Sequence, residues 1–142
     1  MARFPYTKLN AKVNQDILTI IVEGAANPIE VQQYLPVDEK LGLIGRVIER
    51  AHDTNNFSNP LKMEVYYALE MITTYTNISF TEKQMEAPSK LYDALLCSGW
   101  METIMKSIPE NEKNTVWRGI TETANAFYSY RNSVLGVMEA MS

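Results

Sequence analysis

Glu49-Arg50-Ala51-His52 sets a carboxylate and an imidazole three residues apart. In di-iron helical bundles that spacing lets one helix face offer two ligands to a single metal. Such a centre needs the motif twice, and His52 is the only histidine in the chain. The motif therefore reads as a polar helix end, with His52 near the negative end of the dipole. Cys97 is the only cysteine. A nucleophilic thiolate needs a base and an electropositive setting. Cys97 instead follows Leu95 and Leu96 on an apolar helix and reads as a small buried core residue. The carboxylates, among them Glu64, Glu70, Glu86, Asp93, Glu110, Glu112 and Glu122, are scattered. Acid–base chemistry requires two of them in unlike environments; their spacing reads as solvated helix faces. No Gly-x-Gly-x-x-Gly follows a strand, and no other glycine-rich phosphate loop is present. Asn77-Ile78-Ser79 fits a glycosylation sequon, which is incidental without secretion. The expectation is no catalytic residue, no cofactor and no metal.

The aromatic residues carry more information. Tyr66, Tyr67, Tyr75, Tyr92, Trp100, Trp117, Phe127, Tyr128 and Tyr130 fall mostly on helical stretches. Tyr66 and Tyr67 are neighbours and are expected not to face one core together; the same holds for Phe127 and Tyr128. Core packing accounts for most of the rings. A contact surface accounts for one of each adjacent pair, since a ring with a polar tip suits an interface. Tyr66, Trp117, Tyr128, Tyr130, Arg131 and Met138 are the candidate interface residues. Tyr128 and Arg131 lie three residues apart and so share a helix face.

These residues need elements to position them. Residues 1–15 are mixed and polar, an arm. Residues 16–35 read as a β-hairpin. Asp16 to Val22 is a run rich in β-branched residues, Glu23 to Pro28 form a turn, and Ile29, Val31 and Gln33 alternate with Glu30, Gln32 and Tyr34. From Pro36 the period changes to that of a helix, with Val37, Leu41, Ile44, Ile48 and Ala51 as its apolar stripe and Gly42 and Gly45 as weak or closely packed points. Asn59-Pro60 is a helix start, followed by the stripe Leu61, Val65, Leu69 and Ile72. Thr81 caps a short turn, Pro88 opens a further helix, and Ser98-Gly99 interrupts it. Pro109 and Glu110 begin the last helix. Its apolar face is Val116, Ile120, Thr123, Ala124, Phe127, Val134, Leu135, Met138 and Met141. About 30 residues span roughly 45 Å, long for one small domain. The surplus is expected to dock on another chain; the other reading folds it back on the hairpin. The fold class is α+β, mainly α: one domain over 1–142, with an N-terminal β-hairpin and four or five helices in 36–142, the last one long.

Composition narrows the function classes. A hydrophobic fraction of 46% and a charged fraction of 21% are those of a folded globular chain. With 13 basic and 17 acidic residues the net charge is −4. That removes the electrostatic drive toward phosphate backbones or anionic lipid, so neither nucleic acid nor membrane is expected as a partner. The first residues, Met1-Ala2-Arg3-Phe4-Pro5, lack an apolar leader and Cys97 has no partner. Both point to synthesis in a reducing cytoplasm.

Three strings carry a resemblance: Ile29 to Lys40 (IEVQQYLPVDEK), Thr76 to Gln84 with Lys90-Leu91-Tyr92-Asp93, and Tyr130 to Gly136 (YRNSVLG). They resemble small proteins of the virion-morphogenesis region of tailed bacteriophages and prophages of Gram-positive bacteria, from about residue 16 to the C-terminus. The resemblance carries no site residues. It implies a particle component or assembly factor such as a head–tail connector, a tail component or a tail-assembly chaperone. Such a protein acts without cofactor, by contact with other particle proteins and with copies of itself, in the host cytoplasm and then in the virion. The alternative is a phage-encoded inhibitor that binds a host enzyme or defence protein.

Overall fold

The computed structural model describes residues 1–52 and 59–141, without the side chains of residues 127–133 and 135. After an exposed arm with one 3-10 turn at Tyr6–Leu9, strands β1 (Ile17–Ile20) and β2 (Ile29–Gln32) pair antiparallel, Ile17 opposite Gln32 and Ile20 opposite Ile29. The turn between them closes through Ala25 N–H on Val22 O and needs the left-handed φ of +82° that Gly24 supplies. Helices follow: α1 (Val37–Ala51), α2 (Pro60–Tyr75), the single turn α3 (Glu82–Met85), α4 (Pro88–Cys97), α5 (Trp100–Ser107) and α6 (Glu110–Met141). The chain is thus α+β and mainly α, with five described helices of eight residues or more and the last one by far the longest.

Local sequence explains most of the boundaries. Asn59 Oδ1 accepts from Leu61 N and Lys62 N, and Pro60 occupies the first helical position, where its missing N–H costs nothing. Thr81 and Gln84 form a reciprocal capping box that starts α3. Gly99, with φ +84°, breaks α4 from α5.

α2 is the central element. Met63, Met71 and Tyr75 join a main core with Val31, Leu35, Leu43, Val47, Ile108, Val116 and Ile120. Ala68 and Ile72 join a second cluster with Met101 and Ile104. A helix packed on two sides is apolar nearly all round; Val65, Leu69 and Ile72 of the expected stripe are buried, and so are Met63, Ala68, Met71 and Tyr75 outside it. Leu61, expected in that stripe, is exposed at the helix start. The stripe expected for α1 is also corrected. Val37 and Leu41 are each 61% exposed, while Leu43 and Val47 are buried along with Lys40; of the expected stripe only Ala51 is fully buried, and Ile44 and Ile48 pack at the margin. The helix is rotated from its expected orientation because the Lys40 ammonium has a partner inside.

Neither Gly42 nor Gly45 marks a close approach of backbones. At Gly119 of α6 the neighbour is a side chain: a Cβ there would lie 2.5 Å from Ile44 Cδ1 of α1. The missing Cβ leaves the room that the Ile44 side chain occupies.

Candidate interaction surfaces

The residues that could carry chemistry are placed apart. Glu49 is exposed and His52 caps the C-terminus of α1. Cys97 is exposed at the end of α4, which corrects the expectation of a core thiol; α4 buries none of its residues fully. Among the described residues no group of three acidic, histidine or cysteine side chains is arranged to hold a metal.

Two carboxylates expected on solvated faces are buried, and both act as ties between elements. Glu112, in the first turn of α6, is 4% exposed. Its Oε1 accepts from Leu35 N at 2.8 Å and from the Tyr75 hydroxyl at 3.1 Å, and its Oε2 accepts from Lys40 Nζ at 2.9 Å. Lys40 also sits 4.2 Å over the Tyr34 ring, a cation–π contact. One side chain thus joins α6 to the hairpin exit, α1 and α2. Burial, with the Glu112 carboxylate beside it, pushes the Tyr75 hydroxyl well above the usual tyrosine range. Glu70 of α2 receives Arg46 Nε at 2.9 Å and Arg50 Nη1 at 2.8 Å, one on each oxygen. The two arginines stand one turn apart on α1 and close the α1–α2 seam. Sequence spacing within single helices gives no sign of either tie, because their partners lie 20 to 77 residues away.

With its first turn held this way, α6 divides in two. Glu112, Val116, Ile120 and Ala124 repeat every four residues and are buried, facing α1. From Asn125 onward every described side chain is exposed. Thirty-two residues make a rod of about 48 Å, of which the exposed part is about 25 Å. Along it Val134, Val137, Met138 and Met141 recur at i, i+3, i+4 and i+7, so one apolar stripe is left facing solvent.

The candidate interface residues are not gathered into one patch. Tyr66 is half-buried against the main core and borders a groove of about 450 Å³ between the starts of α2 and α4, with Val65 and Tyr92. Trp117 is half-buried and meets Tyr67 edge-on, ring centroids 5.0 Å apart. The Tyr67 hydroxyl donates to Lys113 O at 3.4 Å; burial, then the charge of Glu110, pushes it up to about 12. Tyr66 and Tyr67 therefore both pack against the same core, contrary to expectation, because α1, α4 and α6 surround α2. Met138 lies on the exposed stripe and is 61% exposed. Tyr128, Tyr130 and Arg131 belong to α6, but their side chains lie outside the described residues.

A second apolar surface lies at the hairpin. Phe4, Tyr6, Leu9 and Val13 of the arm and Ile17, Leu18 and Ile21 of the hairpin are all exposed. The two edges of the hairpin differ. On β2, Asn77 N–H donates to Glu30 O, Asn77 Oδ1 accepts from Glu30 N, and Asn77 Nδ2 donates to Pro28 O. The amide of the expected sequon is thus spent sealing that edge. No described residue seals the outer edge of β1 in this way.

Comparison with protein-family models, with curated proteins and with solved structures finds no match for this chain. Among the described residues no helix is long and apolar enough to cross a membrane.

Proposed function

We propose that this protein is a non-enzymatic structural or assembly component of a tailed-phage particle that works by protein–protein contact through the distal half of α6. The observation that supports contact is the division of that helix. Its near half is bound into the core by Glu112, Val116, Ile120 and Ala124, while its far half carries Val134, Val137, Met138 and Met141 outward. A solvent-facing apolar stripe about two turns long is a cost unless a partner covers it. Methionines suit such a surface because their flexible side chains adapt to another chain. The phage context rests on the resemblance of residues 29–40, 76–84 with 90–93, and 130–136 described above.

Two measurements test the reading. Mass spectrometry of purified particles should recover the chain at a fixed copy number; its absence from particles and from assembly intermediates would favour the host-directed inhibitor instead. Truncation after Tyr128 removes the exposed stripe and leaves the buried residues of α6 in place. The shortened monomer should keep its thermal midpoint within a few degrees and fail to assemble. A large loss of thermal stability would mean that the distal half folds back on its own chain.

A further inference from the structure

We infer that the outer edge of β1 is a self-complementary docking strand that pairs antiparallel with β1 of a second copy, making one four-stranded sheet across a two-fold axis at Thr19. Gln33 N–H donates to Asp16 O in the same register that sets Leu18 opposite Val31. In an antiparallel ladder the hydrogen-bonded pairs alternate, so residues 16, 18 and 20 point their peptide groups at β2. The peptide N–H and C=O of Ile17, Thr19 and Ile21 point the other way, and no hydrogen bond from a described residue reaches them.

The sequence of that edge fits itself. A two-fold axis at Thr19 places Ile17 of one copy opposite Ile21 of the other and Thr19 opposite Thr19, so all three outward residues find outward partners. Asp16 then faces Val22 and Glu23 faces Gln15, so no two like charges meet. Between Ile17 and Val22 there is no charge and no proline. Those are the devices by which edge strands are kept from pairing. Ile17 is 55% and Ile21 86% exposed, and pairing would set the two side by side on one face of the sheet as cross-strand neighbours. Leu18, on the other face, would come to lie against Ile20 of the second copy. The arm residues that border the hairpin, Tyr6 and Ala11 to Asp16, lie beside Gln32, Tyr34 and Pro36 at its open end. A two-stranded ribbon is marginal by itself, whereas four strands with an apolar face are not, and pairing of one patch with itself closes as a dimer. The interface is separate from the α6 stripe and does not depend on it.

Analytical ultracentrifugation of the full chain over a hundredfold concentration range should show monomer passing to dimer. Amide exchange should show protection at Ile17, Thr19 and Ile21 that rises with concentration, while Leu18 and Ile20 are protected throughout. Ile21→Lys puts a charge opposite Ile17 of the partner at a site already open to solvent. It should weaken the dimer at least tenfold with an unchanged thermal midpoint for the monomer. Thr19→Pro removes an N–H that the hairpin does not use and should abolish pairing. The chain truncated after Tyr128 should dimerise as the full chain does; loss of the dimer there would assign self-association to α6 and overturn the inference. So would a monomer across the whole range, a dimer of Ile21→Lys as tight as the parent, or protection of the three outward amides at every concentration, which would show the chain's own arm on the edge.

Discussion

The two halves of α6 are one unbroken helix with opposite surroundings. The near half starts on a buried carboxylate and presents Val116, Ile120 and Ala124 to α1, with Ile44 of α1 packed over Gly119. The far half has an apolar stripe of similar spacing, Val134, Val137, Met138 and Met141, with no described residue against it. Similar periodicity therefore has two meanings. An apolar stripe says which face of a helix will be covered; what covers it depends on where the helix begins. Glu112 fixes that start, and the domain is too small to reach the other end.

The comparison can be broken most severely at Glu112. Glu112→Ala leaves Lys40, the Tyr75 hydroxyl and Leu35 N–H buried without their acceptor. Removing one member of a buried charge pair costs about 3–5 kcal/mol, a large part of the total stability of a domain this size. Urea unfolding should show it as a much lower midpoint; a loss near zero would mean that the tie does not hold α6. Next in size is the contrast between the halves. Ile120→Ala removes a fully buried side chain and should cost about 2–5 kcal/mol. Met138→Ala, on the exposed half, should stay within about 0.5 kcal/mol in the monomer while weakening assembly. Equal effects on monomer stability would erase the distinction between the halves.

A smaller effect comes from alkaline pH. Tyr67 titrates up to about 12 in the folded chain against 10.0 as its ordinary value, and Tyr75 also shifts upward. Once the pH passes 10 the unfolded chain gives up protons that the folded chain keeps, so unfolding becomes easier. This contribution to stability is complete below pH 10 and falls away as the pH rises toward 12. Denaturant midpoints at pH 8, 10 and 11 should decline in that order, and Tyr67→Phe should flatten part of the decline. The smallest expected effect is that of Cys97→Ser. The thiol is exposed, so the change should alter the thermal midpoint by no more than measurement error, and a clear loss would show that Cys97 packs against something.

Residues whose structural message is local were legible in the sequence. Asn59-Pro60, Thr81, Pro88, and Gly99 each act on backbone within a turn of themselves, and the elements begin or break where they stand. The change from period 2 to period 3.6 at Pro36 is local as well, and it located the hairpin and the first long helix. The sequence alone also marked α6 as too long for its domain. The exposed candidate Met138 was readable from that excess length, whereas Tyr66 and Trp117 turned out to be partly core.

Only the tertiary structure decided which face of α1 turns inward. An apolar stripe through Val37 and Leu41 and one through Leu43 and Val47 are equally regular. The choice falls to Lys40, whose ammonium meets a carboxylate 72 residues away. Glu70 and Glu112 looked like solvated charges for the same reason: a charge is affordable inside a protein when its partners are there, and these partners come from other elements. Gly119 carried no signal, since a glycine in a helix shows its purpose only when another helix crosses it. The open edge of β1 was hidden too. A strand's sequence states that it will pair, and the fold alone states that one of its two sides has been left without a neighbour.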